Sequence, residues 1–204
     1  MQLKLPTTVR GFHDYYKLTA IPKQLVEAFG YGFEVDHLVL PLADDTLIWL
    51  PSLQERLEYS LRHFGFGTET PRREFVIAPI LSEVARYIHA DIFSEFVLQV
   101  NSQLKGALDY LVQSKSNLIV VEAKQADTAR GFSQLCAEMI AMDQWTDSMA
   151  EVLYGAVSIG DMWRFGRLDR KQKRIVQDVG GILVPDDTEK LVRVLIAILR
   201  GETV

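Results

Sequence analysis

Asn117-Leu-Ile-Val-Val-Glu-Ala-Lys124 is an apolar run that delivers a carboxylate and an amine, two residues apart, to its polar end. Read as a strand over Leu118 to Lys124, its side chains alternate between faces, so Glu122 and Lys124 are expected to project together. Upstream, Leu104-Lys-Gly-Ala-Leu-Asp-Tyr-Leu-Val112 reads as the strand paired with it across the polar turn Gln113 to Asn117. That strand carries Asp109, thirteen residues before Glu122.

Two carboxylates and an amine brought together in this way suit a particular chemistry. A hard divalent cation is held by a few carboxylate oxygens plus waters, and a lysine beside it can orient or deprotonate a water for attack on a phosphodiester. A lone Glu-x-Lys at a strand exit is more often a solvated strand end. Three neighbours make this one a candidate site: Asp109 on the preceding strand, a long helix straight afterwards, and Gln134 on that helix ten residues past Lys124.

The 204 residues suffice for one domain with a real core, and the apolar and charged fractions of 48% and 24% are those of an ordinary globular protein. Runs such as Leu118 to Val121 and Val194 to Leu199 are too short to span a bilayer, and the N-terminus lacks signal-peptide features, so a cytoplasmic protein with no membrane partner is expected. The single cysteine, Cys136, excludes an internal disulfide and any Cys-x-x-Cys zinc site. The net charge of −5 weighs mildly against a nucleic-acid partner. Local clustering matters more for phosphate contact, and Arg164, Arg167, Arg170, Lys171, Lys173 and Arg174 fall within eleven residues. A solvated hairpin turn and a contact with phosphates account for that run equally well.

Along the chain, Ile21 to Phe29 reads as a short helix, with Phe33 to Leu40 and Thr46 to Leu50 as strands. Ser52 and Glu55 form a capping-box pattern ahead of a helix marked by Leu53, Leu57, Leu61 and Phe64. A segment from Pro71 to about His89 reads as a helix interrupted or kinked at Pro79. Strands follow over Ile92 to Val100, Lys105 to Val112 and Leu118 to Lys124, then a helix over Thr128 to Trp145. Ala150 to Ile159 and Met162 to Leu168 read as a hairpin about Gly160-Asp161, Arg174 to Val179 as a further strand, and Asp186 to Leu199 as a capped C-terminal helix. This order predicts an α/β fold with a central mixed β-sheet flanked by helices, residues 1–67 forming an N-terminal extension packed on a domain of residues 68–204.

The arrangement resembles the PD-(D/E)XK, or restriction-endonuclease-like, nuclease superfamily, within it the N-terminal nuclease domain of type I restriction enzyme motor subunits and its stand-alone relatives. Glu69, Arg73 and Pro79 keep the family's Glu, Arg and Pro register. Asp109-Tyr110 matches its Asp-Tyr pair, Glu122-Ala-Lys124 its Glu-Ala-Lys, and Gln134 its helical Gln. The hairpin Val157-Ser-Ile-Gly-Asp-Met-Trp-Arg-Phe165 is similar to the strand pair, often ending in Trp-x-Phe, that follows in these proteins. The resemblance spans roughly residues 68 to 180. It implies a restriction-endonuclease-like core and a Mg²⁺ (or Mn²⁺) ion coordinated by Asp109, Glu122 and the backbone carbonyl of Ala123. Lys124 would position the hydrolytic water, Glu69 would approach the metal, and Gln134 would orient the lysine or a phosphate. Glu83 is the substitute for Glu69. Two departures stand out: Glu138 occupies the place where the family often has a Tyr, and no phosphate-binding loop exists, so a partner motor protein would have to supply any ATP-driven movement.

The expected activity is a metal-dependent nuclease acting on nucleic acid, with DNA as the expected substrate. The alternative is a nuclease fold that binds nucleic acid, or serves assembly, without cutting. His13, His37, His63 and His89 lack zinc-ligand spacing, and no Gly-x-Ser-x-Gly elbow is present. The broad apolar surface of the last helix, through Leu191, Val194, Leu195 and Ile198, offers either core packing or a homodimer contact.

Overall fold

The computed structural model describes residues 11–18 and 21–203; residues 1–10, where a leader would lie, are outside the described residues. The first half forms α1 (Phe12–Lys17), α2 (Pro22–Ala28), β1 (Gly32–Asp36), α3 (Leu50–His63), α4 (Glu69–Arg72), a π-helical turn (Arg73–Ile77) and α5 (Ala78–Ile88). Then come β2 (Asp91–Gln99), β3 (Lys105–Gln113), β4 (Leu118–Ala123), α6 (Thr128–Trp145), β5 (Val152–Ser158), β6 (Met162–Asp169), β7 (Arg174–Asp178), β8 (Ile182–Leu183) and α7 (Thr188–Arg200). The fold is α/β, with a mixed sheet in the order β1-β7-β6-β5-β4-β3-β2 and β8 paired to β6.

All six residues of β4 are buried, as befits a strand covered on both faces. Period two divides them: Ile119, Val121 and Ala123 join a core with α3, α5 and α7, while Leu118 and Val120 join a second core with α6. β4 pairs antiparallel with β3 and parallel with β5. Parallel neighbours need a crossover, and α6 is that crossover. Asp127 caps its start, its carboxylate accepting the Arg130 N–H at 3.0 Å. Residues Gly131 to Met142 are buried on every side, between the sheet and the short helices α1 and α2.

The close approach of α6 rests on two glycines that face each other in the β5–β6 ladder, Gly155 and Gly166. A Cβ on Gly155 would lie 2.8 Å from Leu135 Cδ1 and 2.9 Å from Met139 Sδ; one on Gly166 would lie 2.7 Å from Phe132 Cζ. The glycine pair makes a flat floor into which the helix settles.

Several sequence readings need correction. Thr46 to Leu50 is no strand: Leu47 and Leu50 turn into the core while Ile48 is exposed, and α3 starts at Leu50. A run so short carries no periodicity that separates a strand from a helix start. Ser52 is therefore inside the first turn rather than at the cap, with Pro51 at the helix entry where its missing N–H costs nothing. The expected break near Pro79 is a widened π-turn just before it, which continues directly into α5. Pro79 has no N–H to offer the preceding turn, and widening the backbone there lets the helix run on. The segment read as an N-terminal extension supplies β1, the sheet strand paired in parallel with β7, and α2 packs on α6. On α7, Leu191, Val194, Leu195 and Ile198 are all buried in the core, so the apolar face considered for a homodimer is spent inside the molecule. Among the described residues, no helix is long and apolar enough to cross a membrane.

Replacing either facing glycine with valine is expected to lower stability by about 1–3 kcal/mol through overpacking under α6. Denaturant unfolding checks this, and wild-type midpoints in both variants would show that the helix does not rest on that floor.

Candidate active site

The ladder between β3 and β4 runs from Gln113 opposite Leu118 to Tyr110 opposite Val121, and there it stops. Past that point the strands part, and Asp109 takes over from the backbone: its carboxylate accepts the Ala123 N–H at 2.8 Å. One step further along β4, Glu122 points toward α6 with 1% of its surface exposed, and Lys124 follows on the same side at 7%. Glu69 arrives from α4 and Gln134 from α6. Glu69, Asp109, Glu122, Lys124 and Gln134 all line one cleft of about 460 Å³. Glu83 does not: its carboxylate binds Arg56 at 3.2 Å and Arg86 at 2.7 Å on the outer side of α5.

Charge within the cleft is crowded and only partly balanced. Lys124 Nζ donates to Glu122 Oε1 and, at 2.8 Å, to the Ala123 carbonyl, and it lies 5.4 Å from the Tyr16 ring centroid. Burial works against the Lys124 ammonium, but Glu122, Asp109 and Glu69 outweigh it and hold the amine protonated above its ordinary range. Burial likewise pushes the Glu69 carboxyl up, against the pull of Lys124. Beneath the cleft floor is Glu138, wholly buried, whose Oε1 accepts from Gln134 Nε2 at 2.9 Å. Burial first, and Glu138 second, raise Glu122 well above the carboxylate range, and burial raises Glu138 to about 8. Glu122 Oε2 and Glu138 Oε2 are both buried without a donor. Burial of two neighbouring carboxyls favours retention of a proton by the pair.

Sequence reasoning missed four participants. His13 and Tyr16 come from α1, outside the region of resemblance, and Glu95 from β2; all three line the cleft. Glu138 was noticed only as a departure from a tyrosine. Its place one helical turn after Gln134 is the signal that could have found it, because i and i+4 share a helix face.

Asp109 and Glu122 offer hard oxygen ligands of the kind Mg²⁺ takes, and the donorless Glu122 Oε2 is an acceptor awaiting a partner. Among the described residues, no three His, Cys, Asp or Glu side chains converge as a ready-made metal cage. An ion here would be held by two carboxylates, the Ala123 carbonyl and water, as Mg²⁺ sites commonly are. The basic run divides: Arg164 opposes Val157, the β5 partner of Glu122, while the rest of the run leads away from the cleft. Its turn after Asp169 is at the Val152 end of β5, the opposite end of the sheet from Glu122. Arg170 is committed there, to Asp143 at 2.6 Å and to the Ala150 carbonyl at 3.0 Å, and Arg174 pairs with Glu34 at 3.2 Å. No protein-family model matches the chain, and neither the curated proteins nor the solved structures contain a match to it.

The raised Glu138 carboxyl gives a pH dependence of known sign. The unfolded chain releases this proton near the ordinary 4.5, the folded protein only near about 8, so the folded state binds more protons between these values. Stability of the metal-free protein is therefore expected to fall as pH rises through that window and to level off above it. Glu138→Gln should flatten the decline. Thermal unfolding between pH 5 and pH 9 measures both, and parallel curves for the two proteins would dismiss the retained proton.

Proposed function

We propose that the protein is a metal-dependent nuclease of the PD-(D/E)XK type, hydrolysing phosphodiester bonds with DNA as its substrate. The observation that carries the reading is the meeting of Glu69, Asp109, Glu122, Lys124 and Gln134, drawn from four separate elements, in a single cleft. Asp109, Glu122 and the Ala123 carbonyl are the groups that would hold Mg²⁺ or Mn²⁺. Such an ion supplies Lewis-acid stabilisation of the charge that develops on phosphoryl oxygens.

The chain's own residues supply the rest. Its acidic neighbours hold Lys124 as a hydrogen-bond donor, to Glu122 and to the Ala123 carbonyl. Its work is to orient the attacking water and to stabilise negative charge as it forms. Glu69, whose carboxyl is raised by burial, lines the same cleft as a group able to take a proton from water. Gln134 donates to Glu138 and keeps that carboxyl oriented beneath Glu122. With no ATP-binding loop in the sequence, movement along DNA would need a partner motor.

Purified protein incubated with MgCl₂ or MnCl₂ and single-stranded DNA, duplex DNA or RNA tests the proposal directly. Asp109→Asn and Glu122→Gln are expected to reduce cleavage at least about 100-fold, and Lys124→Met to slow single-turnover cleavage by roughly the same factor while leaving DNA affinity near wild type. Full activity in all three variants would sink the assignment. Oligonucleotide binding without any cleavage by the wild-type protein would favour the non-cutting module instead.

A further inference from the structure

Arg73 belongs to the π-turn ahead of Pro79 and pairs with two carboxylates that line the cleft. Its guanidinium bridges two carboxylates: one nitrogen is 2.6 Å from Glu95 Oε1, the other 3.4 Å from Asp109 Oδ1. Its carbon is 5.3 Å from the centroid of the Tyr110 ring, which limits where the fork can swing. The two grips are unequal. Both are ion pairs, the 2.6 Å contact close and the 3.4 Å contact looser. Arg73 is anchored at Glu95 and lightly held at Asp109.

The local backbone explains why an arginine is needed there. Ser94 opposes Tyr110 and Phe96 opposes Leu108, so Glu95 stands across from Asp109 on the neighbouring strand. Like charges in that relation repel. Glu95 also has a φ of +53°, an uncommon left-handed conformation for a residue with a side chain. Both oxygens of Asp109 are engaged, Oδ1 by Arg73 and Oδ2 by the Ala123 N–H. A divalent cation can reach Oδ1 only in competition with Arg73.

From this geometry we infer that Arg73 is the resident cation of the site and its phosphate contact in turn. Without metal it neutralises Asp109. When a divalent cation takes the Asp109–Glu122 pair, Arg73 yields Oδ1, stays anchored through Glu95, and presents its freed N–H groups to a phosphate oxygen of the nucleic acid. The guanidinium fork suits this double use, since it matches carboxylate and phosphate alike. The inference rests on the nuclease reading above and adds an order of events: the arginine becomes available to DNA only after metal binds.

Calorimetric titration of the wild-type protein and Arg73→Met with MgCl₂ alone tests the first half. Removing the competitor is expected to tighten Mg²⁺ binding about tenfold, with Arg73→Lys, which keeps the charge, close to wild type. Anisotropy with a phosphorothioate-linked DNA oligonucleotide tests the second half. Arg73→Met should lose affinity in MgCl₂ and not in EDTA. Should Arg73→Met fail to fold, Glu95→Gln serves from the exposed side: weakening the anchor must reduce oligonucleotide affinity in MgCl₂ alone. Equal Mg²⁺ affinity in wild type and Arg73→Met, or the same affinity loss with and without Mg²⁺, overturns the inference and leaves the nuclease reading standing. No heat of Mg²⁺ binding in either protein overturns both.

Discussion

The contact of α6 with the glycine floor of β5 and β6 is the constraint on which the rest of the structure depends. Because Gly155 and Gly166 present no side chains, the helix comes near enough to bury twelve consecutive residues, Gly131 to Met142. Among those residues are Gln134 and Glu138. A helix standing further off would leave both in water, and Glu122 on β4 would then be an ordinary strand-end carboxylate. The same approach obliges the chain to cover the helix's outer side, which α1 and α2 do. In covering it, α1 brings His13 and Tyr16 to the rim of the cleft.

Burial turns this packing into chemistry. Glu122 and Glu138 are placed where carboxylates are poorly solvated, and the single ammonium of Lys124 balances only one of them. Burial raises both carboxyls and so favours their protonated forms. At the cleft mouth the problem is different. Asp109 and Glu95 are reachable by water and oppose each other across strands, and the Arg73 guanidinium between them settles the pair. The site thus has an inner, protonated layer and an outer layer balanced by Arg73. A positively charged ligand meets acceptors in both.

Much of the architecture was legible from periodicity. Strands at Asp91–Gln99, Lys105–Gln113 and Leu118–Ala123 and the helix Thr128–Trp145 agree with the sequence reading to within a residue or two, because long apolar patterns leave little choice of period. The antiparallel partnership of β3 and β4 was equally plain from the polar turn between them. Legibility failed where the pattern was short or the burial two-sided. Thr46 to Leu50 is a short apolar run that reads like a strand yet lies in a turn and a helix start, and the two-residue β8 is too brief to announce itself. The basic run drew attention by composition alone, whereas Arg170 serves as a clamp on the Asp143 and Ala150 backbone region, far from the cleft.

The sequence by itself determined that Glu122 and Lys124 share a strand face, that Asp109 lies on the adjoining strand and that Gln134 lies on the helix that follows, since all follow from local repeat lengths of two and 3.6 residues. Only the tertiary structure decided that Glu138 is buried against Glu122, that α1 and Glu95 wall the same cleft, that Glu83 is turned away and that Arg73 sits on Asp109. Those facts depend on how closely separate elements approach and on where water is excluded. Proximity of that kind joins residues far apart in the chain, and no local pattern records it.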